Sequence, residues 1–133
     1  MRALSISLVG LVCISQSNAM ELSPTTTISS VAMGVRTRIG FSYALNPDCS
    51  VEGPITVRIL QSPKSGKFES LDEEGNSAYA STDQKFRCNL EKRAVSKYYY
   101  TSDDGFAGKD RLVVETFFPN GNSRKRTFEI TVK

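Results

Sequence analysis

Apolar and polar residues alternate with a period of two along much of this chain, and nowhere does a stretch of a dozen residues carry a 3.6-residue period. A period of two sends successive side chains to opposite faces of an extended strand, so the pattern commits the chain to sheets. Met33, Val35, Thr37, Ile39, Phe41 and Tyr43 alternate with Gly34, Arg36, Arg38, Gly40 and Ser42. This predicts a strand with the first set inward and both arginines outward. Ile55, Val57 and Ile59 alternate with Thr56, Arg58 and Leu60, behind a Pro54 that suits the first residue of a strand. Near the end of the chain, Leu112, Val114, Thr116 and Phe118 interleave with Val113, Glu115 and Phe117, and Phe128, Ile130 and Val132 oppose Thr127, Glu129 and Thr131. Between those two runs lies Pro119-Asn120-Gly121-Asn122. Asn-Gly accepts the positive φ angles of a tight turn, so the runs are expected to pair as a C-terminal hairpin.

Weaker strands fill the middle. Segments 66–71 and 78–81 flank Asp72-Glu73-Glu74-Gly75-Asn76, read as an acidic turn. Segment 95–101 includes Tyr98-Tyr99-Tyr100, which favours a strand by shape and sends Tyr99 away from its two neighbours. Segment 84–93 is the best helical candidate, and it is short and polar. About seven short strands separated by turn signals point to an all-β fold, an antiparallel β-sandwich.

The first residues read as a leader rather than as fold. Met1-Arg2 supplies a positive start, residues 3–14 are almost wholly apolar, and Ser17-Asn18-Ala19 places small residues at the cleavage positions. The run is shorter than the roughly 20 apolar residues of a membrane span. A lipid-modified cysteine would want a small residue before it, whereas Val12 precedes Cys13. The expected organisation is a signal peptide at 1–19, a polar lead-in at 20–30 and one sandwich domain at 31–133. Cleavage removes Cys13 and leaves Cys49 and Cys88. In an exported chain these read most simply as one structural disulfide, with two unpaired thiols as the alternative suited to a cytosolic protein.

Composition narrows the chemistry. The 133 residues contain no histidine, which removes Ser/His/Asp and Cys/His catalysis and histidine-containing zinc sites. Three cysteines cannot make a four-thiolate metal centre. A net charge of +3 is too small to mark a dedicated nucleic-acid binder.

The stretch Tyr100-Thr101-Ser102-Asp103-Asp104-Gly105-Phe106-Ala107-Gly108-Lys109-Asp110-Arg111-Leu112 resembles the Y-x-P-x-x-G-F-x-G-x-D-x-F signature of bacterial cadherin-like, immunoglobulin-like domains. Ser102 stands at the usual proline and Leu112 at the usual aromatic. Asn46-Pro47-Asp48-Cys49, Gly53-Pro54-Ile55-Thr56-Val57-Arg58 and Pro63-Lys64-Ser65-Gly66-Lys67 also resemble small exported proteobacterial proteins built on one such domain. The resemblance implies an immunoglobulin-like sandwich in which the signature joins two late strands, followed by a hairpin. It implies no assigned activity.

Candidate sites are few. Asp103, Asp104 and Asp110 with Glu115 have the oxygen ligands calcium prefers, but a turn at Asp104-Gly105 and backbone acceptance by Asp110 explain them more simply. Asp72, Glu73 and Glu74 could form a carboxylate pair for glycoside chemistry, though an exposed loop accounts for them better. Ser62-Pro63-Lys64-Ser65 holds the parts of a Ser–Lys dyad and also reads as a turn. The basic residues Arg36, Arg38, Arg58, Arg124, Lys125 and Arg126 are the candidate contact surface, with Glu115 and Glu129 as possible cross-strand partners. The function expected is a non-catalytic, exported binding or adhesion module of the bacterial envelope, periplasmic or secreted. Its expected partner is another envelope or extracellular protein or a polysaccharide, with no cofactor, no metal, no nucleic acid and no membrane span. The alternative is a small exported inhibitor or accessory protein acting through the 82–94 segment.

Overall fold

In a computed structural model of the chain, which describes Gly10, Cys13 and residues 19–133, seven strands form two sheets. The leader expectation for 1–19 falls almost wholly outside the described residues. The strands are β1 (Glu21–Val31), β2 (Thr37–Ser42), β3 (Thr56–Gln61), β4 (Gly66–Asn76), β5 (Lys92–Ser102), β6 (Gly108–Phe117) and β7 (Ser123–Val132). One sheet has the order β1-β7-β6-β3 and the other the order β2-β5-β4. The all-β sandwich with one disulfide is therefore the fold. Four of its five strand pairings are antiparallel, and β1 lies parallel to β7.

The inward residues of β5, β6 and β7 make the core. Tyr98 and Tyr100 of the smaller sheet meet Leu112, Val114, Phe128 and Ile130 of the larger one, all of them fully or almost fully buried. Tyr99 points outward, as the alternation requires. The C-terminal hairpin forms with Leu112 opposite Phe128, and its turn spans 118–122, closed by bonds between Phe118 and Asn122 and between Gly121 and Phe118.

Several expectations change. The residues read as a polar lead-in form β1, an edge strand bonded to β7 alone. An edge strand with an exposed face needs few apolar residues, and only Val31 at its inner end is buried. The strand expected over 33–43 is shorter. Gly34 takes φ 68°, which turns the chain and leaves Met33 and Val35 exposed. A bulge between Arg38 and Gly40 then shifts the alternation, so Ser42 is buried and Phe41 only half-buried. A second bulge in β3 leaves Ile59 and Leu60 exposed, with Val57 packed on the core.

The acidic turn is instead strand. β4 runs unbroken to Asn76, with Asp72, Glu73 and Glu74 opposite Ser96, Val95 and Ala94 of β5. Its charges are tolerated because β4 is an edge strand whose residues there are mostly exposed. Segment 78–81 is irregular, and the helical candidate reduces to one 3₁₀ turn at Phe86–Leu90.

Candidate functional site

The two ends of the sandwich differ. At one end, the β3–β4 and β5–β6 turns are held by a single carboxylate. Asp110 accepts from the backbone N–H groups of Lys64 (2.9 Å), Ser65 (3.0 Å) and Arg111 (2.8 Å), and from the Tyr100 hydroxyl (2.8 Å). Burial alone would raise the Asp110 carboxyl, but these donors outweigh it and hold the group below its usual value. Burial, and then the bond to Asp110, push the Tyr100 phenol up. These partners make Asp110 a structural lock, and they fix Ser62-Pro63-Lys64-Ser65 as a turn.

The opposite end carries the long loops, and covalent and polar bonds give them order. Cys49 and Cys88 form a disulfide, with Cα atoms 5.3 Å apart, inside a second buried cluster of Leu45, Cys49 and Cys88 against Tyr79. Cys49 sits at φ 67°, a left-handed conformation imposed by the tight 46–50 turn, where Asn46 N–H donates to the Ser50 carbonyl and Cys49 N–H to the Asn46 carbonyl. Three cations then tie segment 85–93 to the 45–49 loop through its carbonyls. Lys85 donates to Leu45 (3.0 Å), Arg87 to Pro47 (2.6 Å) and Arg93 to Cys49 (2.8 Å). Asn89 accepts from Ser77 Oγ and Tyr79 N–H and donates to the Tyr79 carbonyl, which closes the segment on itself. On this rigid frame Phe86 and Leu90 are 49% and 88% exposed. Large apolar side chains held outward by so many internal bonds suit contact with another surface.

Beside this loop, a cleft of 390 Å³ lies between the edges of β1 and β2. It connects to the loop through Tyr43, whose ring meets that of Tyr79 edge-on at 4.9 Å. Arg124 and Arg126 of β7 reach into it, since they share the parity of Phe128 and Ile130. Arg126 donates to the Phe41 carbonyl (2.8 Å) and Ser42 Oγ (3.0 Å). Its guanidinium lies 5.2 Å from the Tyr98 ring and 5.3 Å from that of Phe128. Burial lowers the Arg126 pKa, and burial raises that of Tyr43, opposed first by its bond to the Ala78 backbone and only weakly by Arg124.

The candidate basic residues fall into three groups. Arg36 and Arg38 lie on the outer face of the three-stranded sheet, where Arg36 stacks 3.7 Å from the Tyr99 ring centre and meets Glu69. Arg58 pairs with Glu115 across β3 and β6 at 2.8 Å. On β7, Lys125 faces outward near Glu21, while Arg124 and Arg126 turn inward. Their inward direction was legible, because the alternation of the last strand extends back through both. Asp72, Glu73 and Glu74 are spread over the two faces of β4, with Glu73 bonded to Tyr99 and near Lys97. Asp103 and Asp104 lie at the β5–β6 turn, and among the described residues no three acidic or cysteine side chains gather as metal ligands. The apolar pair Phe86 and Leu90 was missed, because two isolated apolar residues in a polar segment carry no period.

No protein-family model and no curated protein matches the chain. Among solved structures, it is similar to the solution structure of amebosin at 14% identity and a TM-score of 0.40, over 83% of this chain and 98% of that one. A likeness at that level carries no argument about function.

Proposed function

We propose that this chain is a non-catalytic, extracytoplasmic binding module that contacts a protein partner through the disulfide-stapled 77–91 loop. The observation that carries the reading is the exposure of Phe86 and Leu90 on a segment fixed by Cys88, Lys85, Arg87 and Asn89. A loop ordered before it binds loses little entropy on association, which is how small exported inhibitors and adhesion domains gain affinity from few side chains. The edges of the sheets suit the task less well, because bulges, Pro24 and charged side chains interrupt them. Export is supported by the leader pattern of residues 1–19 and by the disulfide. Absence of histidine from the sequence supports the non-catalytic reading. Membership of the bacterial cadherin-like group rests on the Tyr100–Leu112 stretch, whose Tyr100 and Asp110 bond to each other in the fold.

The test is retention of proteins from periplasmic extract and culture medium on immobilised wild-type chain and on a Phe86→Asp, Leu90→Asp double variant. The expected result is a partner held by the wild type and released by the variant. A partner held equally by both, or none held by either, contradicts the assignment.

A further inference from the structure

The outer face of the four-stranded sheet carries a groove of 660 Å³, and no residue of the 77–91 loop lines it. One row of register partners crosses it, Ile28 of β1, Glu129 of β7 and Arg111 of β6, and Arg111 reaches on to Gln61 of β3. Lys109 and Thr131 form the next row, and Lys64 joins them from the β3–β4 turn. Lys64, Lys109 and Arg111 are all exposed, and among the described residues none of them forms an ion pair. Arg111 lies directly opposite Glu129, where a cross-strand pair would be expected, yet it donates to the Gln61 side-chain carbonyl at 2.8 Å instead. The other carboxylate of the lining, Asp110, is 7% exposed and occupied by its four donors. Two of those donors are the backbone N–H groups of Lys64 and Arg111, so the same lock fixes the backbone of two of the cations before any ligand arrives.

The lining narrows the ligand. Exposed cations without a protein partner favour an anion. A concave groove that crosses the strands suits a linear chain rather than the plane of a membrane. Among the described residues no aromatic side chain lines it, so it lacks the stacking platform of a single-stranded nucleic-acid site. Glu129 would repel a bare polyphosphate, whereas Glu129 and Thr131 can accept hydrogen bonds from hydroxyl groups. Ile28, 78% exposed, offers an apolar contact for the carbon face of a ring. We propose that this groove binds a linear acidic polysaccharide. Its carboxylate or sulfate groups dock on Lys64, Lys109 and Arg111, its hydroxyls bond to Glu129 and Thr131, and one ring lies on Ile28. Four strands at the usual spacing span about 14 Å, so more than one sugar unit is in contact.

The test is NMR titration of the isotope-labelled protein at about 0.15 M salt, where bare charge attraction is screened beyond about 8 Å. The probes are trigalacturonate and a sulfated galactan oligosaccharide, with maltotriose and tripolyphosphate for comparison. At least one acidic oligosaccharide should give saturable shifts at residues 28, 61, 64–65, 109–111 and 129–131 at roughly millimolar concentration or below. Which of the two binds more tightly tells carboxylate from sulfate. Maltotriose gives no shifts, and tripolyphosphate binds more weakly by roughly tenfold or more. A Lys109→Gln, Arg111→Gln double variant weakens the oligosaccharide roughly tenfold or more, without a lower melting temperature because both side chains are exposed. Lys64→Gln, on a separate element, also weakens it and serves should the double variant fold poorly. Lys92→Gln, an exposed cation at the start of β5, leaves binding unchanged. The Phe86→Asp, Leu90→Asp variant also binds the oligosaccharide as wild type does, so this site and the loop contact can fail independently. Absence of saturable binding by both acidic oligosaccharides overturns the proposal, as does maltotriose or tripolyphosphate binding as tightly. Undiminished binding in the groove variants, or equal weakening by Lys92→Gln, overturns it too.

Discussion

At the scale of single residues, the structure separates those that lock the fold from those free to act. Asp110 is the clearest lock, with four donors converging on one buried carboxylate. Asp110→Asn keeps the size and replaces an acceptor with a donor that would face N–H groups. It should destabilise the protein by about 2 kcal/mol or more, read from chemical denaturation. The pH dependence follows from the same bonds. Because the folded pKa of Asp110 lies below its unfolded value of about 3.9, its contribution is present above that pH and is lost as pH falls through the folded value. Melting temperature measured from pH 6 downward should therefore drop more steeply for wild type than for Asp110→Asn; parallel curves would contradict this. Phe128 tests the core in the same way. Its ring packs on Tyr98 with no exposure, so Phe128→Ala should cost about 3–5 kcal/mol, while Glu129→Ala on the exposed face stays within about 0.5 kcal/mol.

Among elements, the four edge strands decide what the sheets can and cannot do. β1 carries Pro24 within a register shift, β2 and β3 are six residues long and bulged, and β4 is long and regular but acidic. Charge is thus the main device that keeps β4 from pairing with another chain. Replacing Glu73 and Glu74 with valine should raise the weight-average mass seen by analytical ultracentrifugation relative to wild type. An unchanged mass would show that charge is not what protects this edge. These edges also explain what the sequence could reveal. β6 and β7 lie inside their sheet, so one face of each is buried along most of its length and the alternation reads cleanly through Leu112, Val114, Phe128 and Ile130. β1 and β4 bury little and can be polar, which is why one resembled a lead-in and part of the other a turn. The bulges in β2 and β3 shift the phase by one residue, and a strict period of two cannot anticipate that. The candidate site was legible in part: the disulfide followed from cysteine count and compartment, whereas the exposure of Phe86 and Leu90 depends on how a non-periodic segment is stapled.

For the whole molecule, the two ends of the sandwich differ, one closed and the other carrying the proposed contact loop. Asp110 and Tyr100 close one, and the other presents the stapled loop and the arginine-lined cleft beside it. N-terminal sequencing of the exported protein should find Met20 first, and finding Met1 there would contradict a cleaved leader. The Cys49–Cys88 bond should order the 77–91 loop on a core that keeps its own structure. Cross-linking residues 39 positions apart contributes about 4 kcal/mol by the loop-closure argument, within a typical domain stability of roughly 5–15 kcal/mol, so the reduced protein should remain folded. Amide hydrogen exchange on oxidised and reduced protein measures this directly. Reduction should abolish protection in 44–52 and 77–91 while β5, β6 and β7 stay protected. Unchanged protection in 77–91, or its simultaneous loss across Tyr98, Leu112 and Phe128, would contradict that role for the disulfide.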